Sequence, residues 1–258
     1  GQATFNRPLN FTTPNWIWDG VKGKGRNPDD YGFRVVEGED PASLPNQRMV
    51  GIPPVGSRVP VSNIRLSHTA VVCSGAAYDM TQICLYSNPE SASGIVISHN
   101  YFKDGAPNML TRKWQDSFIE HNYFDRNWSS PTYHGEQVSP GGGEKNVTYR
   151  YNVFRDSQVF VIGFHIRNNS GYKIYGNVVV GGNIHGVFVS ADSAHLDVLQ
   201  SSEIYNNSII GVDVGGRGIV FTGPLTDSVG DRSYAYNNLV YDCDSPKFSG
   251  SVVSDYNS

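Results

Sequence analysis

The sequence predicts an all-β solenoid of about seven to eight parallel coils, stacked into a rod and locked by a ladder of asparagines. Three observations carry this. The tetrapeptide His-Asn-Tyr-Phe occurs twice, at His99–Phe102 and His121–Phe124, 22 residues apart. An Asn recurs at the same place in later segments, so the tetrapeptide belongs to a longer repeat. Gly, Asn and Asp interrupt nearly every apolar run before it reaches helical length.

The repeated column starts at Thr69 and continues through Asn100, Asn122, Asn152, Asn177, Asn207 and Asn238. Its intervals run from 22 to 31 residues, so a fixed motif alternates with loops of variable length. Ahead of it, Ile95, Ile97, Ile119, Val147, Tyr149, Ile174 and Ile204 alternate with Val96, Ser98, Phe118, Glu120, Thr148, Arg150, Lys173 and Tyr175. Period-two alternation marks a strand with one buried face. Two residues after the column, Val71, Phe102, Phe124, Phe154, Val179, Ile209 and Val240 form the inward row of a second strand. Further strands at His134–Pro140, Gln158–Phe164, His185–Ala191 and Gly218–Pro224 close the coils, aligned with Glu136, Phe160, Val187 and Ile219 in one column. Strands that recur in one direction without helices bury their apolar faces only by stacking on neighbours. At about 4.8 Å per coil the rod is on the order of 35–40 Å long. At each bend the Asn is expected to adopt left-handed backbone and to bond the Asn one coil away.

Residues 1–258 form one domain, with residues 1–61 supplying a first coil and loops and residues 62–258 the regular coils. The opening Gly-Gln and the uncapped strand-like ending Ser251–Ser258 imply a segment taken from a longer chain. Open coil edges offer end-to-end self-association. Charged residues are only 17%, the net charge is -4, and no Lys/Arg run appears, which argues against a nucleic-acid surface. No apolar run approaches the ~20 residues that span a bilayer. Cys73, Cys84 and Cys243 have no metal-type spacing and leave open one disulfide or buried free thiols.

On the bend-Asn repeat and its Asn-x-Phe/Val/Ile follow-on, residues 62–242 resemble the right-handed parallel β-helix proteins of the pectin-lyase-like superfamily. That resemblance implies a right-handed parallel β-helix, a polysaccharide partner, and a secreted or cell-surface location. No subfamily's motif set accompanies it. The Asn-Thr-Asp, Gly-His-Gly and Arg-Ile-Lys blocks of polygalacturonases are missing, with Asp29-Asp30 the one matching dipeptide. The dense aspartates of pectate lyases are missing too, so calcium has no sequence signature and the cofactor stays open.

The pattern breaks at Arg126–Asn146, the longest insertion near the middle of the rod. There Glu136 stands in an apolar column, a conflict of the kind that marks functional sites and a burial that suits a general acid or base. A bulge at Pro140-Gly-Gly-Gly is the alternative, turning Glu136 outward. The expected groove centres on His134 and Glu136. Lys113, His165 and Arg167 complete the catalytic candidates, and Arg112, Trp114, Trp128, Tyr133, Arg150, Asp192 and His195 are expected to bind substrate. A lyase needs a cation on the uronate carboxylate, a base for the C5 proton and an acid for the leaving oxygen. A hydrolase needs two carboxylates, for which Asp116 and Asp192 could partner Glu136. Cationic candidates outnumber carboxylate pairs, so elimination is favoured slightly. The rival is a non-catalytic structural or adhesive rod. In that reading Glu120–Arg150, the Tyr175–Tyr205–Tyr236 column, the His68–His99–His121 column and the alternating charges at Lys103–Asp125–Arg155 and Asp104–Arg126–Asp156 are register devices.

Overall fold

A computed structural model describes residues 1–36, 48–54, 56–57, 59–73, 82–87, 91–128, 135–164, 169–182, 185–190, 199–200, 202–212, 217–222, 234–243, 248–249 and 253–255. Apart from a short 3-10 turn at Pro28–Asp30, every regular element described is a strand. Each coil gives one strand to each of three parallel sheets. Sheet 1 precedes the Asn column and includes Arg65–Ser67, Val96–Ser98, Trp114–Glu120, Lys145–Arg150, Lys173–Tyr175, Glu203–Tyr205 and Tyr234–Tyr236. Sheet 2 follows the column, with Thr69–Val72, Tyr101–Gly105, Tyr123–Asn127, Val153–Ser157, Val178–Gly182, Ser208–Val212 and Leu239–Cys243. Sheet 3 closes the coil through Ile83–Tyr86, Met109–Thr111, Val138–Pro140, Phe160–Phe164, His185–Ser190 and Arg217–Thr222.

Among the described residues each sheet carries nine rungs in its main path, where about seven to eight coils were expected. The additional rungs lie at both ends: Ala3 and Phe33 pair in register with Thr69 in sheet 2 and occupy the column without the Asn that announces it, while Phe248–Ser249 and Val253–Asp255 extend sheets 3 and 1 past Asn238.

The ladder explains the register. Asn100 Oδ1 accepts from Thr69 N at 3.0 Å, and from Asn122 to Asn238 each Oδ1 accepts from both the backbone N and the Nδ2 of the Asn one coil earlier. The distances are 2.9 and 3.1 Å from Asn100 to Asn122, 3.0 and 3.1 Å from Asn122 to Asn152, and 3.0 Å for both from Asn152 to Asn177. The pattern continues from Asn177 to Asn207 and from Asn207 to Asn238. Each Nδ2 also donates to a sheet 1 carbonyl, such as Asn152 to Ile119 O at 2.9 Å. All these amides are buried, so their groups are satisfied by one another and by the backbone of adjacent coils.

The expected left-handed Asn is corrected: the left-handed residue is the one before it. His99, His121, Tyr151, Gly176, Asn206 and Asn237 have φ between 54° and 64°. Reversing the chain there sends that residue's side chain outward and turns the Asn inward. The outward rings stack as His68–His99–His121–Tyr151, with centroids 5.1, 4.9 and 5.1 Å apart. Inward, Phe102, Phe124 and Phe154 stack at 5.0 and 4.8 Å in the continuous core.

Sheet 3 corrects a second expectation. Val138, Ile162, Val187 and Ile219 share one column, whereas Phe160 pairs with His185. Glu136 therefore lies two residues ahead of the apolar column and before the strand Val138–Pro140. The three cysteines are free thiols.

Candidate functional site

The described members of the expected groove do not converge on one face. Glu136 is 2% exposed and sits in the bend between sheets 2 and 3. That bend is a polar network of its own. Asn127 Nδ2 donates to Gly135 O, while Asn108 Nδ2 donates to Gln137 Oε1 at 2.5 Å and Gln137 Nε2 to Arg155 O at 2.8 Å. Trp128 follows in the same bend, half-buried, with the Arg126 guanidinium 5.3 Å from its ring centroid. Arg112 and Lys113 occupy the turn from sheet 3 to sheet 1, Arg112 half-buried and Lys113 exposed in left-handed backbone at φ 52°. Trp114 is a correction: it is fully buried in the core and its Nε1 donates to Ser87 Oγ at 2.9 Å, so it presents no face to a ligand. Arg150 lies on the outer side of sheet 1. Tyr133, His134, His165, Arg167, Asp192 and His195 fall outside the described residues.

Sheet 1 does assemble a cleft, of about 440 Å³, on three adjacent coils. Phe118, Thr148 and Lys173 are rung partners, and so are Glu120, Arg150 and Tyr175. Strand alternation points both rows outward. The short Thr148 between Phe118 and Lys173 makes the floor. One wall is a second column of left-handed residues, Asp116, Asn146 and Gly171, with φ of 48°, 54° and 68°. Asn146 Nδ2 donates to Asp116 Oδ1 at 3.0 Å. A Cβ at Gly171, whose φ is 68°, would come within 2.4 Å of Asn146 Oδ1, so a side chain there would have to displace that amide.

Arg150 organises the opposite wall. Its Nε donates to Glu120 Oε2 at 2.6 Å and its Nη1 to Tyr175 Oη at 3.1 Å, and its guanidinium lies 5.2 Å from the Phe118 ring centroid. The bonds to Tyr175 and Glu120 raise its pKa further, so it is a permanent cation. Lys173 is exposed beside it, and Phe118 is 38% exposed. Beyond the cleft Tyr175, Tyr205 and Tyr236 stack face to face at 4.8 and 5.0 Å. From Phe118 to Tyr236 the strip crosses five coils, about 20 Å. Sequence reading placed Phe118 and Lys173 in outward rows but had no signal that a small floor residue would open a depression between them. Among the described residues no group of three His, Cys, Asp or Glu side chains could hold a metal ion, and no described helix could cross a membrane.

A family model described as "Right handed beta helix region" matches residues 62–209, more than half of the chain. The chain belongs to the right-handed β-helix family. Similarity to solved structures is lower. ORF18 of Geobacillus virus E2 is 12% identical, with 97% of this chain and 56% of that one covered and a TM-score of 0.44. The family 28 exopolygalacturonase of Yersinia enterocolitica is 10% identical, with 92% and 62% covered and a TM-score of 0.45. The catalytic domain of a GH87 α-1,3-glucanase in complex with nigerose is 12% identical, with 92% and 60% covered and a TM-score of 0.33. This β-helix chain spans less than two thirds of the length of each of these structures. No curated protein matches it.

Proposed function

We propose that this β-helix chain is a secreted or cell-surface, polysaccharide-active protein that holds an acidic glycan along the outer face of sheet 1. One observation carries the reading: the cleft over Thr148 sets two cations, Arg150 and Lys173, beside the rings of Phe118 and Tyr175. Flat rings pack against sugar C–H faces, and guanidinium and ammonium groups pair with carboxylates. The Tyr175–Tyr205–Tyr236 stack extends the surface for further sugar units.

Elimination is favoured over hydrolysis. Arg150 would neutralise a uronate carboxylate, which acidifies the adjacent C–H; that proton would pass to a solvent hydroxide while the Lys173 ammonium donates one to the leaving oxygen. Hydrolysis needs two carboxylates about 5–5.5 or 6.5–9.5 Å apart. The acids around the cleft are already engaged, Glu120 by Arg150 and Asp116 by Asn146. Lys113, His134, Glu136, His165 and Arg167 are the rival catalytic set for the groove expected from the sequence, with Glu136 in the bend between sheets 2 and 3 and Lys113 in the turn from sheet 3 to sheet 1. Arg112, Trp128, Tyr133, Asp192 and His195 would line that groove. A non-catalytic rod is the second reading, favoured by the engagement of Arg150 with Glu120 and Tyr175.

The test is binding and turnover on a polyuronate, a sulfated glycan and a neutral glucan, read by retention and by ultraviolet absorbance of new unsaturated ends. Polyuronate should bind, with Lys173→Ala and Tyr175→Ala each weakening it about three- to tenfold. Turnover lost in Lys173→Ala but kept in Glu136→Gln supports sheet 1 chemistry, and the reverse supports the rival groove. Binding without new ends supports the rod, and no binding to any glycan overturns the proposal.

A further inference from the structure

Behind sheet 1, inside the coil stack, lies a polar cell that the proposed function does not use. Glu144, just ahead of the strand Lys145–Arg150, is completely buried. Its Oε2 accepts from Tyr172 Oη at 2.5 Å, and its backbone N donates to Asn169 Oδ1 at 3.0 Å. Its Oε1 has no hydrogen-bond partner. The same is true of Thr111 Oγ1 and Tyr149 Oη, and all three atoms are buried. The Thr111 hydroxyl lies close enough to perturb both the Glu144 carboxyl and the Tyr149 phenol, yet neither approach has the geometry of a hydrogen bond.

The cell is built from three places in the chain. Thr111 ends the sheet 3 strand Met109–Thr111, and Tyr149 points inward from the strand whose outer side carries Thr148 and Arg150. Tyr172 comes from the next coil, its ring stacked on Tyr149 at 6.1 Å. The groups facing Glu144 are thus the hydroxyls of Thr111, Tyr149 and Tyr172, and no described charged side chain acts on it. Folded proteins pair nearly all buried polar atoms, and three orphans in one cell call for a shared partner. A buried water makes two to four hydrogen bonds to such groups.

We infer that this cell is a binding site for a single sealed water molecule linking Glu144 Oε1, Thr111 Oγ1 and Tyr149 Oη. A water can donate to a carboxylate oxygen or accept from a carboxylic acid, so the site serves both protonation states of Glu144. Burial pushes that carboxyl up to about 7 from an ordinary 4.5. The folded chain therefore keeps a proton that the unfolded chain releases. The stability this provides is fully present below pH 4.5 and is lost as the pH rises through about 7.

A high-resolution crystal structure reads the site directly, with Thr111→Val, Thr111→Ser and Glu144→Gln alongside. Wild type should show one peak at hydrogen-bond distance from all three oxygens. The peak should persist in Thr111→Ser and Glu144→Gln, and vanish or shift in Thr111→Val. In a thermal series, the wild-type midpoint should fall as pH rises from 4.5 through about 7, and Glu144→Gln should remove that slope. A dry cell in wild-type crystals overturns the inference. So does a peak at the shorter metal–oxygen distances together with a midpoint that tracks added sodium or potassium.

Discussion

Two bends of the same coil solve one problem in opposite ways. Between sheets 1 and 2 every regular coil uses the same residue, and Asn100, Asn122, Asn152, Asn177, Asn207 and Asn238 each bond their neighbours through the same atoms. Between sheets 2 and 3 the buried polar atoms are matched by unlike residues: Asn108 with Gln137, Gln137 with Arg155 O, Asn127 with Gly135 O. The first bend is constant in length and can be periodic. The second varies in length from coil to coil, short between Ser157 and Phe160 and long between Asn127 and Val138, so each coil closes its hydrogen bonds with whatever the local loop brings. A periodic bend sets register, and an aperiodic one leaves room for a site.

Breaking the periodic bend should have the largest effect. Asn152→Ala removes a residue that bonds Asn122, Asn177 and Ile119 O, and it strands buried groups on two coils. Chemical denaturation should show a loss of about 3–5 kcal/mol. Gln137→Ala in the aperiodic bend should lose about 1–3 kcal/mol, because fewer groups depend on it and its loop can resettle. Equal losses would mean that repetition itself adds nothing. The outward stack beside the ladder offers a smaller test. His99 is held below its ordinary 6.5, first by burial and then by His121 and His68. Its NMR titration should therefore midpoint below 6.5, and stability should fall as pH drops from 6.5 through that lower value. The smallest effect belongs to the sheet 2 charge pairs. Asp104→Asn breaks bonds of 2.5 and 3.0 Å to Arg126, yet solvent screens that pair, and urea titration should register no more than about 1 kcal/mol.

The same contrast governs what could be read from the sequence. The Asn ladder and the Phe102–Phe124–Phe154 row were legible because one residue type returns at one offset. At the N-terminal end one coil was expected within residues 1–61, and the second rung of sheet 2 was not legible, since Ala3 and Phe33 stand in the column where the Asn would announce it. The sheet 3 register slipped by two because a two-residue shift keeps each side chain on the same face, and Phe160 and Ile162 fit the apolar column equally well. The left-handed position went to the Asn on its known tolerance, while the residues that hold it are as unlike as His, Tyr and Gly. The cleft depends on neighbours 25 and 30 residues apart meeting across coils around a short Thr148. Glu144 is hidden in Gly-Gly-Gly-Glu-Lys, which looks like a solvated loop although its carboxyl is interior.

The ladder also has a mechanical meaning. An interior Asn such as Asn152 is gripped from both sides, by Asn122 on one coil and Asn177 on the next. Tension along the rod axis loads these bonds in series, so the chain should yield one coil at a time from an end, like a zip, with a sawtooth of similar peaks. Shear across the axis loads many rungs at once and should meet a far higher threshold.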